Sequence, residues 1–345
     1  MVYTGPIVVI NRGTPIPVPS GILVVPTDVC IAGGYAYVAG FTVQNGLYPL
    51  PSVGCVVVIN TSTNTISRVF GLPDIPAGIT TDGTNLYVCN SGQAGTSSAG
   101  LWVVTASTGL VVGSCGSYVE ASVEGTLGSH DCALNGNEVW VSVPYLGSIY
   151  MFDTTSYAEV TNLTLLDCAP WGLAPGGWVS DMNTPGGHGG VWNVNLSTSI
   201  ETFLNASAWG GQEGQNICTD STGETLYVAD GSGYVAVISV SLFAFPTVAV
   251  LGTLSGVDSP TDIAMALDDS AVYYSDVSTV DWFSAGSTSN NVISTAGLGL
   301  TGIAMTSSDA YICDSYNTGE FPGARVYVVS TSSHAVVTSI LLVTP

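Results

Sequence analysis

The residues of this chain best suited to chemistry are short pairs that recur along it: Thr27-Asp28, Ala77-Gly78, His130-Asp131, Trp171-Gly172, Gln215-Asn216, Thr261-Asp262 and Thr301-Gly302. Brought together, Asp28, Asp131 and Asp262 would offer oxygen ligands to a hard cation such as calcium, with Asn216 and backbone carbonyls completing the shell. His130, beside Asp131 and near Trp171, could serve as a general base or as the acid of a lyase. These side chains also have a plainer use, because short polar groups at turns hydrogen-bond neighbouring backbone amides. His188, in Gly186-Gly187-His188-Gly189-Gly190, is a second histidine able to reach such a site, while His334 falls in an outer turn and is expected to face solvent. Gln215 and Trp171 complete the candidate ligand-binding set.

Each pair opens a short strand-like run that leads through a turn into a second run. In Pro76-Ala77-Gly78-Ile79-Thr80-Thr81-Asp82-Gly83-Thr84-Asn85-Leu86-Tyr87-Val88-Cys89-Asn90 the turn signal is Asp82-Gly83 and the unit reads as a tight hairpin. Its second run has the order aromatic, β-branched or aromatic, small, then commonly Asp or Asn. That order recurs at Tyr37-Val38-Ala39-Gly40, Tyr87-Val88-Cys89-Asn90, Trp140-Val141-Ser142-Val143, Trp178-Val179-Ser180-Asp181, Tyr227-Val228-Ala229-Asp230, Tyr273-Tyr274-Ser275-Asp276 and Tyr311-Ile312-Cys313-Asp314. The spacing, about 38 to 53 residues, is that of four-stranded blades with unequal loops. Third strands are expected around 56–60, 101–105, 149–153, 191–195, 235–239, 280–283 and 326–330.

The fold expected is therefore all-β: a seven-bladed β-propeller of four-stranded antiparallel blades over residues 26–345. In such a ring the recurring pairs meet at one mouth of the central channel. Asn90, Asp181, Asp230, Asp276 and Asp314 are expected to line that mouth further out. The wide loops 41–53, 91–99, 182–190 and 315–324 are expected to rise from the same face, where recognition usually resides. Residues 1–25 are left over as an N-terminal outer strand pair, with strands at 7–11 and 22–25. This pair either closes the ring as an extra edge or adds to the sheet of a neighbouring copy, making a homo-oligomer.

Composition narrows the function. Of 345 residues 46% are hydrophobic and only 8% charged, enough apolar material for a large core. Twenty-five acidic residues against three arginines and no lysine give a net charge of -22, which excludes nucleic acid and anionic membranes as partners. No run reaches the ~18 apolar residues of a membrane span, and no signal peptide is visible. An uncharged Ser/Thr/Asn/Gly surface suits an extracellular, cell-surface or virion setting, with stability flat or rising as pH falls from about 7 toward 4. The eight cysteines form no metal spacing and read as small buried hydrophobes, with Cys115, Cys132 and Cys168 the candidates for disulfides. No Gly-x-Ser-x-Gly elbow, P-loop or HExxH is present. Trp171, Trp178, Trp209 and Trp282 could stack on sugars, although core packing is the default within strands.

Val56-Val57-Val58-Ile59-Asn60-Thr61-Ser62-Thr63-Asn64-Thr65-Ile66, followed by Asp82-Gly83-Thr84-Asn85-Leu86-Tyr87-Val88-Cys89-Asn90, resembles the YVTN-type β-propeller family, which includes surface-layer and secreted seven-bladed propellers. The resemblance implies the fold and an exterior setting, and it names no catalytic residue. The function expected is non-enzymatic: adhesion, coat assembly or ligand binding to a protein or glycan at a surface, with no cofactor required and calcium the one candidate. The alternative is a lyase or hydrolase using His130, Asp131 and a divalent cation.

Overall fold

A computed structural model describes residues 17–345 apart from 44–52, 73–74, 91–99, 116–128, 166–167, 183–188, 196–199, 242–246, 256, 258, 277–278, 288, 290, 296–298 and 316–323. The strands form seven four-stranded antiparallel sheets. Blade 1 shows the plan: Leu23–Ala32, Tyr35–Val43, Gly54–Asn60 and Thr65–Leu72, each paired with the next in sequence. Blades 2 to 7 occupy 76–115, 132–164, 170–205, 214–255, 262–294 and 300–341. The first strands of neighbouring blades touch around the whole ring, including blade 7 on blade 1, so they enclose the axis. The seven expected third strands are present, each one to three residues longer than expected.

The core explains the repeat. Apolar side chains gather in seven clusters, one between each pair of adjacent blades. A strand buried on both faces sends alternate residues to opposite neighbours. Thus Leu86 and Val88 pack toward blade 1, while Tyr87 and Cys89 pack toward blade 3. The motif's aromatic always enters the seam with the following blade: Tyr37 with blade 2, Tyr87 with 3, Trp140 with 4, Trp178 with 5, Tyr227 with 6, Tyr273 with 7 and Tyr311 with 1.

The ring closes between complete blades. Val24 N–H donates to Leu342 O (2.9 Å), Gly21 N–H to Thr344 O (2.8 Å) and Thr344 N–H to Ile22 O (2.9 Å). Leu23–Val25 therefore head the innermost strand of blade 1 instead of forming a separate outer strand. The expected strand at 7–11 lies outside the described residues. All eight cysteines are free thiols, seven of them in strands and Cys168 in the connection into blade 4, which fits the reading as small buried hydrophobes and not the disulfide alternative for Cys115, Cys132 and Cys168. Among the described residues no helix is long and apolar enough to cross a membrane.

Candidate functional site at the channel mouth

All fourteen residues of the recurring pairs line a single cavity of about 460 Å³ at the mouth of the channel. Val25, Pro26, Phe41, Ile75, Pro76, Ser129 and Ser315 complete its wall. The innermost strands carry a register shift at this level, between Pro26 and Asp28, Pro76 and Gly78, Pro170 and Leu173, Gly214 and Asn216, and Leu300 and Ile303. An extra residue re-aims a side chain that would otherwise alternate across the sheet.

At this level the acids bind backbone one blade on. Asp28 accepts Val29 N–H (2.7 Å) through Oδ1 and Ile79 N–H (2.8 Å) through Oδ2. Asp131 does the same with Cys132 (2.7 Å) and, in the next blade, Leu173 (2.8 Å). Asp262 accepts from Ile263 (2.8 Å) and from Ile303 of blade 7. In blade 5 Asn216 accepts Ile217 N–H (2.8 Å), and its carboxamide donates to Asp262.

The remaining three blades have glycine at this level, because a side chain there would strike the polar residue of the following blade. A Cβ at Gly172 would lie 2.3 Å from Asn216 Oδ1, one at Gly302 2.4 Å from Asp28 Oδ1, and one at Gly78 3.0 Å from Asp131 Cα. The small residue of the second strand adds another link. Ser180 Oγ accepts Gly172 N–H (2.8 Å) and donates to Gln215 O (2.9 Å) in the next blade; Ser142 Oγ donates to Trp171 O (2.7 Å).

The electrostatics follow from burial among like charges. Burial pushes Asp28 up to about 7, with the charge of Asp131 adding and the Ile79 and Val29 amides opposing. Asp131 is raised to about 6 by burial against the Leu173 and Cys132 amides. Asp262 is raised well above the usual range by burial and then by Asp28. Both Asp28 and Asp131 keep an edge toward the cavity while lying deep in the ring.

His130 is brought to this wall with Trp171, their ring centroids 3.6 Å apart at 36°. Burial lowers it to about 4, opposed by the Trp171 backbone, so the imidazole is neutral at pH 7. Its Nδ1 has no partner among the described residues, and both Asp131 oxygens face backbone amides. The histidine and aspartate are adjacent in sequence without sharing a hydrogen bond.

Several expected positions fall elsewhere. Asp181, Asp230 and Asp276 do not line the cavity; they are buried and tie the end of the second strand to the chain entering the same blade. Asp181 accepts Ala169 N–H (2.8 Å), Asp276 accepts Ser259 N–H (2.8 Å), and Asp230 accepts the Gln212 and Glu213 amides. Asn90 and Asp314 are likewise buried outside the cavity wall. His334 is not free in solvent, since it stacks on Trp282 at 3.4 Å and 7° and bonds the Tyr273 hydroxyl (2.7 Å) through Nδ1. Trp178 and Trp209 are buried, leaving Trp171 as the tryptophan of the expected four that lines the cavity. His188 and most of the four wide loops lie outside the described residues. Among the described residues no group of three or more His, Cys, Asp or Glu has the placement of a metal site.

No family model matches the sequence, and no curated protein matches it. Solved structures do match in shape. A protein of unknown function from Desulfotomaculum acetoxidans aligns with a TM-score of 0.61 at 15% identity over 87% of this chain and 94% of its own. Kuenenia stuttgartiensis hydrazine synthase aligns at 0.64 and 13% identity over 94% and 99%. The β-propeller domain of Myceliophteria thermophila Cps50 (Swd1) aligns at 0.64 and 12% identity over 92% and 98%. At such identities the likeness shows the seven-bladed fold and no activity.

Proposed function

We propose that the protein is a non-enzymatic binding propeller that receives a ligand or a partner at the channel mouth. One observation carries this reading: the three acids at the mouth each hold an amide of the next blade, while the cavity they line also presents Val25, Pro26, Phe41, Ile75, Pro76 and Trp171. A concave cavity that sets apolar and aromatic side chains beside convergent polar groups is the usual form of a binding site. A lyase or hydrolase in which Asp131 orients His130 draws no support from the geometry, because both Asp131 oxygens take backbone amides. A surface setting, with protein or glycan as partner, draws support from the YVTN-type resemblance and the nearly uncharged composition.

The test is a screen of the whole protein and of Trp171→Ala against glycan and surface-protein arrays, alongside a substrate screen of wild type and His130→Ala. Binding abolished by Trp171→Ala is the expected result. Turnover that disappears with His130→Ala would replace this reading with the enzymatic one.

A second reading, assembly of copies by strand addition, is favoured by one feature. The outermost strand of blade 7, Ala335–Leu341, exposes Val336, Val337 and Leu341, and the ring is already closed by residues 21–24 and 342–344. Sedimentation of a chain lacking residues 1–16 tests it: loss of assemblies supports strand addition, and an unchanged profile rejects it.

A further inference from the structure

Resting on the mouth as the binding surface, we propose that this cavity is a receptor for a primary ammonium group, carried either by a small alkylamine or by a lysine side chain of a partner. Its floor and its wall make different demands, and one class of ligand meets both. The lining holds the carboxylates of Asp28, Asp131 and Asp262, and no lysine or arginine is among the described lining residues. The chain has no lysine, and two of its three arginines are engaged on the outer sheets: Arg68 with the carbonyls of Ala106 and Ser107, Arg325 with Ser339. A second copy therefore cannot supply the lysine either.

The carboxylate oxygens can still accept. Each takes backbone N–H groups yet an ionised carboxylate has about four acceptor sites. Thr27 Oγ1, Thr301 Oγ1 and His130 Nδ1 also belong to the lining residues; each is sealed from solvent and has no partner among the described residues, whereas buried polar atoms are normally paired. An ammonium carries three N–H donors, for the carboxylate oxygens first and for one of these buried acceptors where the side chain turns toward it. Calcium asks for six to eight oxygens converging at ~2.4 Å, and the carboxylates of blades 1, 3 and 6, each held by an amide of the next blade, are not free to swing together to supply them. The wall is the second demand. Val25, Pro26, Phe41, Ile75, Pro76 and Trp171, the last with the His130 ring against it, offer apolar and aromatic surface to a methylene stem. A hydrated metal ion would gain nothing from these groups.

Protonation supplies a signature. Asp28, raised to about 7, and Asp131, raised to about 6, are partly protonated near neutrality, and a cation beside them favours the ionised form. The other titratable neighbours stay uncharged: burial holds the thiols of Cys30, Cys132, Cys218 and Cys313 up, and His130 is lowered to about 4. Asp262, raised by burial and by the charge of Asp28, shifts in the same sense. Binding should therefore expel protons at pH 7 and weaken toward pH 5.

Calorimetry of the full chain decides, with n-butylammonium, n-butanol and calcium chloride as probes, in two buffers of different protonation enthalpy. A lysine-containing peptide and its norleucine counterpart separate a partner's side chain from a free amine. We expect saturable binding of butylammonium or of the lysine peptide, at least tenfold tighter than butanol or the norleucine peptide, with proton release and at least tenfold loss at pH 5. Thr301→Val, which removes an unpartnered hydroxyl at constant volume, should weaken the amine several-fold and leave butanol unchanged; this variant keeps the test valid should Trp171→Ala fold poorly. Equal affinity for butanol overturns the ammonium proposal and leaves the mouth as a receptor for neutral groups. Calcium binding that displaces the amine, or no binding of either cationic probe, also overturns it. Array partners indifferent to Trp171→Ala would instead sink the mouth reading itself.

Discussion

A methyl group on residue 302 would be placed 2.7 Å from Asp28 Cα, against backbone that belongs to the first blade. Gly302→Ala and Gly172→Ala should each lower stability by about 1–3 kcal/mol, through overpacking at a place where neither partner can retreat. Gly78→Ala, with its nearest approach at 3.0 Å, should cost less. Urea denaturation of the three variants checks that ranking; an unchanged midpoint for the first two would refute the interlock. Ser180→Ala strips a fully buried hydroxyl that both accepts from Gly172 and donates to Gln215, and about 1–3 kcal/mol should go with it. The polar members of the recurring pairs could be read from sequence, because Asp, Asn and His announce themselves. The glycines could not be given a role that way, since what they do is stay out of the space of Asp28, Asp131 and Asn216.

At the scale of the element, the tyrosine of the second strand is a clasp. Tyr311 donates to Asn64 Oδ1 (2.6 Å) and Thr61 O (3.3 Å) in the third turn of blade 1, and Tyr273 meets Thr331 O and His334 in the matching turn of blade 7. Tyr87 reaches Thr154 O (3.4 Å) in blade 3 by the same route. The turn is built to receive it: Asn60 Oδ1 accepts the Ser62 and Thr63 amides, and Asn64 takes a positive φ of 53°. Tyr311→Phe keeps the ring in its seam and removes only these bonds, so thermal unfolding should show a loss of about 0.5–1.5 kcal/mol. A loss no larger than the scatter would mean the hydroxyl is equally well served by water. The motif's aromatic was legible as a strand marker, and its partner one blade away was not, because residues 311 and 64 stand at opposite ends of the chain. Asp181, Asp230 and Asp276 were misplaced for a more local reason. Their position at a strand end near the mouth was correct, but the direction of the side chain is set by amides at 169, 212–213 and 259 arriving from the preceding blade.

For the molecule as a whole, the buried acids predict an unusual pH profile. Asp28 and Asp131 have folded values of about 7 and about 6 against an unfolded value near 3.8, so the native state binds more protons between those limits. Stability should then rise as pH falls from about 7 to about 4, by on the order of a few kcal/mol net, because His130, lowered from 6.5 to about 4, is protonated first in the unfolded chain and offsets part of the gain. The trend ends below that window. Asp82, where the Asn85 and Thr84 amides outweigh burial and hold the carboxyl low, loses its contribution once it is protonated. A melting temperature that drops steadily between pH 7 and 4 would contradict the placement of these acids in the ring.

Because residues 21–24 pair with 342–344 between two finished sheets, no blade among the described residues is stitched from both sides of this seam. The ring can then be opened at another turn without dividing a sheet across the break. A circular permutant with residues 345 and 21 joined by a short linker and new ends cut at the exposed Asp82-Gly83 turn should fold to the same ring.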